Sequence, residues 1–238
     1  MTQVPIEPLA IDLFCGLGGW TEGFLSEGYR VIGFDIERHD YGTGGYPGQL
    51  VLQDVTTLHG SQFRDATVIV ASPPCQAYSY RAMPWKRAKA LPPPDNTLFE
   101  TCFRIQREAC EAAGRYIPLI VENVRGAQKW VGRAKAHFGS YYLWGDVGMI
   151  GKRIVAGVLR FGVSVAPMGR TIKGPGGSWF KDGRQGQDAC AEGLKLPSNN
   201  GLPAEYGSKS KKRKASSAAI AKIPFPLAQY IAHCYKPN

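Results

Sequence analysis

One cysteine of this 238-residue chain stands where nucleophilic chemistry is feasible. Cys75 lies in "SPPCQAYS" (72–79), directly after the apolar run "ATVIVA" (66–71). Pro73 and Pro74 lack backbone N–H donors and restrict the backbone, so this segment cannot continue a central strand and turns outward. A thiol delivered to a crevice in this way acts as a nucleophile once its thiolate is favoured; the alternative is a small buried core residue. Gln76 and Ser79 offer polar contacts beside it. Glu122 and Asn123 end a second apolar run, "IPLIVENV" (117–124). A carboxyl group there is costly unless paired or functional. It is either the partner of Arg125 or a positioned proton donor.

A third constellation comes earlier. "LAIDLFC" (9–15) runs into "GLGG" (16–19), whose glycines allow backbone N–H groups to approach a ligand. Asp35, about 20 residues on and near the end of another apolar run, suits ribose hydroxyls. The third glycine of the G-x-G-x-x-G fingerprint would fall at Thr21, so the pyrophosphate signature is incomplete. S-adenosylmethionine, with one adenosine and no pyrophosphate, tolerates that difference; a plain structural turn is the other reading.

Positioning these groups requires a particular order of elements. "LAIDLFC", "RVIGFDI" (30–36), "QLVLQDV" (49–55, with Asp54 near its end), "ATVIVA" and "IPLIVENV" read as strands. "WTEGFLSEG" (20–28) and "NTLFETCFRIQREACEAAGRY" (96–116) have helical spacing, the latter through Leu98, Cys102, Ile105 and Ala109, with Gly114 near its end. This alternation predicts an α/β fold with a parallel sheet and helices on both faces. In such sheets ligands bind at the carboxyl ends of the strands, where the glycine turn, Asp35, Asp54, Cys75 and Glu122 all fall. Beyond residue 125, "SYYLWGDV" (140–147) and "KRIVAGVLRFGVSV" (152–165) read as strands and "PFPLAQYIAHCY" (224–235) as a closing helix with Pro226 in its first turn. Residues 166–213 are rich in Gly, Pro, Asn, Lys and Ser and have little periodicity.

Composition narrows the partners. No apolar run reaches the ~18 residues of a membrane span, and "MTQVPIEPLAIDLF" does not read as a secretory signal. Six cysteines without a C-x-x-C pair argue against a zinc site or a disulfide framework and fit a reducing cytosol. The net charge of +10 is uneven. Residues 1–80 hold three Arg against nine Asp or Glu, −6, and residues 81–238 hold 26 basic and 10 acidic residues, +16. The first part suits a small molecule and the second a polyanion such as nucleic acid, or simply a solvated basic face.

"DLFCGLGGWTEGF", "SPPCQAYS" and "VENVRG", in this order and spacing, resemble the DNA cytosine-5 methyltransferases over residues 9–126, with a weaker continuation at 143–160 and 220–235. The resemblance implies a Rossmann-like class I S-adenosylmethionine-dependent methyltransferase sheet. Residues 1–165 and 216–238 would form the catalytic domain, and 166–215 a small basic target-recognition region. It implies methyl transfer from S-adenosyl-L-methionine to C5 of a cytosine flipped out of double-stranded DNA. Cys75 would add at C6, and Glu122 would contact N3 and the exocyclic amine, with Arg153 as a supporting cation. Phe14, Gly16, Leu17, Gly18, Asp35, Ile36, Asp54, Val55, Pro74 and Lys222 would line the cofactor site. Gln76, Ser79, Asn123 and Lys152 would meet the substrate. No metal is expected. The enzyme is expected to be a cytoplasmic monomer in a bacterium or phage-infected host, of restriction-modification type.

Three departures from the family pattern stand out. In "DVGMIGKRIVAGVLRF" (146–161), Arg153 matches the first arginine of Gln-x-Arg-x-Arg, but Gly151 and Val155 replace the glutamine and the second arginine. In "AAIAKIPFPLAQYIA" (218–232), Ala221 and Lys222 replace the usual glycine and asparagine. Lys222 is expected either to meet a carboxylate, on the cofactor or on a carboxylated donor, or to point to solvent. The recognition region is short: "RTIKGPGGSWF" (170–180) and "KSKKRK" (209–214) suit phosphates, with Trp179 or Phe180 as a wedge, or form a flexible basic loop. An RNA substrate and a non-catalytic nucleic-acid-binding relative are the alternative readings.

Overall fold

A computed structural model describes residues 7–40, 44–79, 92–147, 218–219 and 221–237. Among these residues seven strands form one sheet in the order β3-β2-β1-β4-β5-β7-β6. They are β1 (Leu9–Leu13), β2 (Arg30–Asp35), β3 (Gln49–Leu52), β4 (Val68–Ala71), β5 (Leu119–Asn123), β6 (Ala136–Phe138) and β7 (Tyr141–Gly145). The helices are α1 (Gly19–Ser26), α2 (Thr97–Ala113), the short α3 (Gln128–Val131) and α4 (Phe225–Tyr235).

The strands read as near-continuous apolar runs because both faces of the sheet are covered. Ile11, Leu13, Ile69, Ala71, Leu119 and Val121 face the layer that holds Cys102, Ile105 and Ala109 of α2. Ala10, Val31, Val68, Val70, Ile120 and Leu143 face Trp20 and Phe24 of α1 and Leu227, Ala228 and Ile231 of α4. Helix α2 buries the stripe its spacing predicts and stops at Gly114, whose φ of 63° is the left-handed conformation that ends a helix. Helices α1 and α4 pack so closely that a Cβ on Gly23 would collide with Ala228.

β1 to β5 are mutually parallel, as the alternation predicts. The expectation of a wholly parallel sheet is corrected at the far edge, where β7 runs antiparallel to both β5 and β6. β6 is a three-residue strand that no periodicity announced, and β3 ends at Leu52, before Asp54. The β3-β2-β1-β4-β5 part of this order is that of a Rossmann-like sheet, as expected. After β1 the chain moves outward to β2 and β3, then returns to place β4 on the other side of β1. That reversal opens a crevice at the carboxyl ends of β1 and β4. The expected strands at 152–165 and the region 166–215 lie outside the described residues.

Candidate active site

The turn after β1 forms the first wall. Phe14, Gly16 and Gly18 have φ of 57°, 50° and 74°. For the non-glycine Phe14 this conformation costs on the order of 1–3 kcal/mol and persists only where the surroundings enforce it. Here they do: the Cys15 N–H donates to Phe34 O (3.1 Å) and the Gly18 N–H to Cys15 O (2.8 Å). The Gly16 N–H donates to Asp35 Oδ2 at 2.9 Å, tying the turn to the end of β2. Asp35 Oδ1 accepts from the Glu37 N–H and lies 3.3 Å from His39 Nε2. Beneath the turn, Thr21 donates to the fully buried Asp12 (2.7 Å), and Tyr46 joins them. Burial pushes the Asp12 carboxyl up to about 8.

A cleft of about 470 Å³ opens above this turn. Of the ten residues expected at a cofactor site, nine line this cleft: Phe14, Gly16 and Leu17 after β1, Asp35 and Ile36 after β2, Asp54 and Val55 after β3, Pro74, and Lys222. Gly18 does not; it faces the other way, where a Cβ would meet Pro47 at 2.5 Å. Asp54 caps the helical turn Val55–Thr57, accepting from Thr56 N and Oγ1 at 2.9 and 2.8 Å, and these bonds hold its carboxyl below the usual range. The lining fits a nucleoside-bearing group. Asp35 offers a carboxylate for ribose hydroxyls, Ile36 an apolar face that is 73% exposed, and Gly16 open space where a side chain would stand.

The second wall carries the thiol. Ser72 extends the ladder by one bond, its N–H donating to Leu13 O at 3.1 Å. Pro73 follows, and Asn123 Nδ2 donates to its carbonyl at 2.9 Å while Asn123 Oδ1 accepts from the Val124 N–H. Asn123, expected at the substrate, is 1% exposed and staples the proline segment to the end of β5. Cys75 then opens a tight turn, its carbonyl accepting from the N–H groups of Tyr78 (2.9 Å) and Ser79 (3.0 Å). Tyr78 is buried, and its hydroxyl donates to Asn96 Oδ1 (3.0 Å), anchoring the turn to the start of α2. Gln76, expected at the substrate, lies in the wall of the same cleft.

Glu122, 9% exposed at the end of β5, faces this turn. Burial pushes its carboxyl up to about 8, against a hydrogen bond from Ser72 that lowers it. Cys75 is half-buried, and its thiol is raised first by burial and then by the charge of Glu122. The two groups are therefore electrostatic neighbours, and at neutral pH both hold protons. Arg125 is exposed and forms no ion pair with Glu122 among the described residues. Arg153 and Lys152 lie outside those residues.

The third wall comes from the far end of the chain. Lys222 donates to Glu22 Oε1 of α1 at 2.6 Å, so the carboxylate it meets in this structure is the protein's own. Its carbonyl accepts from Tyr141 Oη (3.1 Å), and Ile223 backs so closely on Gly19 that a Cβ there would lie 2.5 Å from Ile223 N. Sequence reasoning missed His39, Thr56, Ser72 and Trp20 as cleft residues. None carries a local pattern; each enters through the fold. Among the described residues no group of three His, Cys, Asp or Glu could hold a metal ion, and no helix is long and apolar enough to cross a membrane.

The sequence model of the C-5 cytosine-specific DNA methylase family matches residues 9–132, which contain the glycine turn, Asp35, Asp54, Cys75 and Glu122. A curated relative, the type II methyltransferase M1.HphI of Haemophilus parahaemolyticus, is 37% identical over 79 residues. That match covers 29% of this chain and only 21% of the relative's length. Solved structures that match part of this chain include one described as a DNA modification methyltransferase encoded within an E. coli prophage. It shows 22% identity and a TM-score of 0.37, over 52% of this chain and 34% of that one. The S. pombe Dnmt2 methyltransferase shows 16% identity and a TM-score of 0.36, over 52% of this chain and 36% of that one.

Proposed function

The chain belongs to the C-5 cytosine-specific DNA methylase family, and on that premise we propose that it methylates C5 of cytosine in DNA, with Cys75 as nucleophile and Glu122 as proton donor. The observation that carries this reading is the pairing of a half-buried thiol with a buried carboxyl group beside a nucleoside-sized cleft.

S-adenosylmethionine, held between the turn after β1, Asp35, Ile36 and Asp54, supplies an electrophilic methyl group. The protein's part is to make C5 of cytosine nucleophilic. The Cys75 thiol gives its proton to solvent, the resulting thiolate forms a bond to C6, and the electron pair of the C5=C6 bond moves into the ring. Glu122, neutral at pH 7, passes its proton to N3 as charge builds there. A neutral carboxyl also spares the thiolate the repulsion that an ionised one would impose. Once C5 carries the methyl group it loses its proton to solvent, the Cys75–C6 bond breaks to release a thiolate that takes a proton back from solvent, and N3 returns its proton to Glu122. The base must leave the duplex to reach a thiol seated in this crevice, at a cost of a few kcal/mol. Residues 166–215, with their basic and aromatic residues, are assigned to holding the DNA.

Incubating the protein with tritiated S-adenosylmethionine and either duplex DNA or RNA, then digesting to nucleosides, tests this reading. Labelled 5-methylcytosine is expected from DNA, and none from Cys75→Ser. Label on RNA alone would move the substrate assignment; label retained in Cys75→Ser would remove the nucleophile.

A further inference from the structure

The chain that leaves β5 just after Glu122 turns its apolar residues inward and its cations outward. Val124, Ala127, Trp130, Val131 and Ala134 pack on the core, whereas Arg125, Lys129, Arg133 and Lys135 are exposed. Residues 123–145 contain no Asp or Glu. Among the described residues none of these four cations forms an ion pair. We propose that Arg125 and Lys129 grip backbone phosphates of DNA beside the turn that carries Cys75. The proposal rests on the reading of the preceding section, in which a cytosine of DNA reaches that thiol.

The platform under these cations is fixed from several sides. Arg125–Ala127 form a helical turn that runs on into α3, so Arg125 and Lys129 stand about one turn, roughly 5.4 Å, apart. The Ala127 N–H donates to Val124 O at 3.0 Å, and Gln128 Oε1 accepts from the Ala134 N–H at 3.2 Å. Trp144 Nε1 donates to Gly132 O at 2.9 Å, tying the end of α3 to β7. The Lys129 ammonium lies 4.5 Å over the Trp130 ring. A Cβ on Gly126 would lie 2.3 Å from Tyr78 O, so the segment that carries Arg125 backs directly on the turn opened by Cys75.

Phosphate is the ligand this placement suits. A base that leaves the duplex stays joined to its sugar and phosphates, so the backbone on either side follows it to the mouth of the crevice. Contacts to that backbone position the protein on DNA without reading sequence. A guanidinium offers a planar fork that matches a phosphate, and an ammonium a point charge. Neither Arg125 nor Lys129 must break an internal ion pair to bind one, and their stems already stand on a fixed support. Arg125, which the sequence also allowed as a partner of Glu122, is thereby turned outward to the DNA.

The test is equilibrium binding of the full chain to fluorescein-labelled duplex DNA over a series of salt concentrations, without a methyl donor. Each phosphate contact adds about 0.9 to the slope of log K against log salt. The double variant Arg125→Gln, Lys129→Gln is therefore expected to lower that slope by about 1.8. It should weaken binding alike on duplexes of different sequence. Arg125→Lys, which keeps the charge, is expected to keep the wild-type slope. Lys236→Gln is the control: this exposed cation lies near Gly28, before β2, at the opposite end of the sheet from Cys75, and its loss should leave the slope unchanged. All three side chains are exposed, so thermal unfolding should match wild type in every variant. A wild-type slope in the double variant, or an equal reduction in Lys236→Gln, would overturn the proposal. So would a wild-type chain that binds RNA but not duplex DNA. Binding needs no turnover: a chain that shows the expected loss of slope yet methylates no DNA would refute the functional reading and uphold the phosphate contact.

Discussion

Glu122 weakens the fold whenever it ionises, because its carboxyl is held in a buried site by one hydroxyl. An ordinary glutamate releases its proton near 4.5, whereas the folded protein holds this one up to about 8. Between those values the unfolded chain has given up a proton that the folded chain keeps, so stability falls as pH rises through the window, and above it the full penalty applies. Glu122→Gln removes that penalty. Thermal unfolding should find the variant little changed from wild type near pH 4.5 and several degrees more stable near pH 8.5, while methyl transfer is lost. A difference in Tm that stays constant with pH would mean that Glu122 does not carry the proton assigned to it. Asp12 titrates in the same range but is common to both proteins and cancels in the comparison. At this scale the sequence was legible where chemistry is written in residue type and neighbours. Cys75 after two prolines and an acid closing an apolar run both pointed to the crevice. Ser72 and Trp20 were not legible, since 52 residues separate them and only the crossing of α1 over β4 brings them together. Asn123 was expected at the substrate. The alternation of the strand turns it to the opposite face, where it binds Pro73 O.

The elements that hold the site can be tested independently of its chemistry. The cleft wall at Ala221–Ile223 is anchored by α4, and α4 is anchored to α1 at the close approach of Gly23 to Ala228. Gly23→Leu must push the helices apart; overpacking of this kind costs about 1–3 kcal/mol. Thermal unfolding should show a lowered Tm, and calorimetric titration should show weaker S-adenosylmethionine binding, because Lys222 and Ile223 retreat from the turn at Gly19. Unchanged binding in a destabilised variant would detach α4 from the cofactor site. Element type and order for β1 to β5, α1, α2 and α4 followed from periodicity. The direction of β7 did not, because an apolar run looks the same whichever way it pairs. β6 has three residues, too few for any period to register.

At the scale of the whole molecule, charge and fold divide the work. The acidic first third supplies most of the cleft proposed for the cofactor, and the remaining residues carry a net +16 suited to phosphate contacts. The account requires these parts to meet at one sulfur atom. The measurement that tests it most directly is covalent trapping on duplex DNA containing 5-fluorocytosine, in the presence of S-adenosylmethionine. Fluorine at C5 cannot leave as a proton does, so the Cys75–C6 bond should persist after methyl transfer. The account predicts a denaturation-resistant protein–DNA adduct that forms in wild type, is absent in Cys75→Ser, and decreases in yield as salt rises. An adduct that survives in Cys75→Ser, or no adduct in a protein that binds the same DNA and the cofactor, would contradict it.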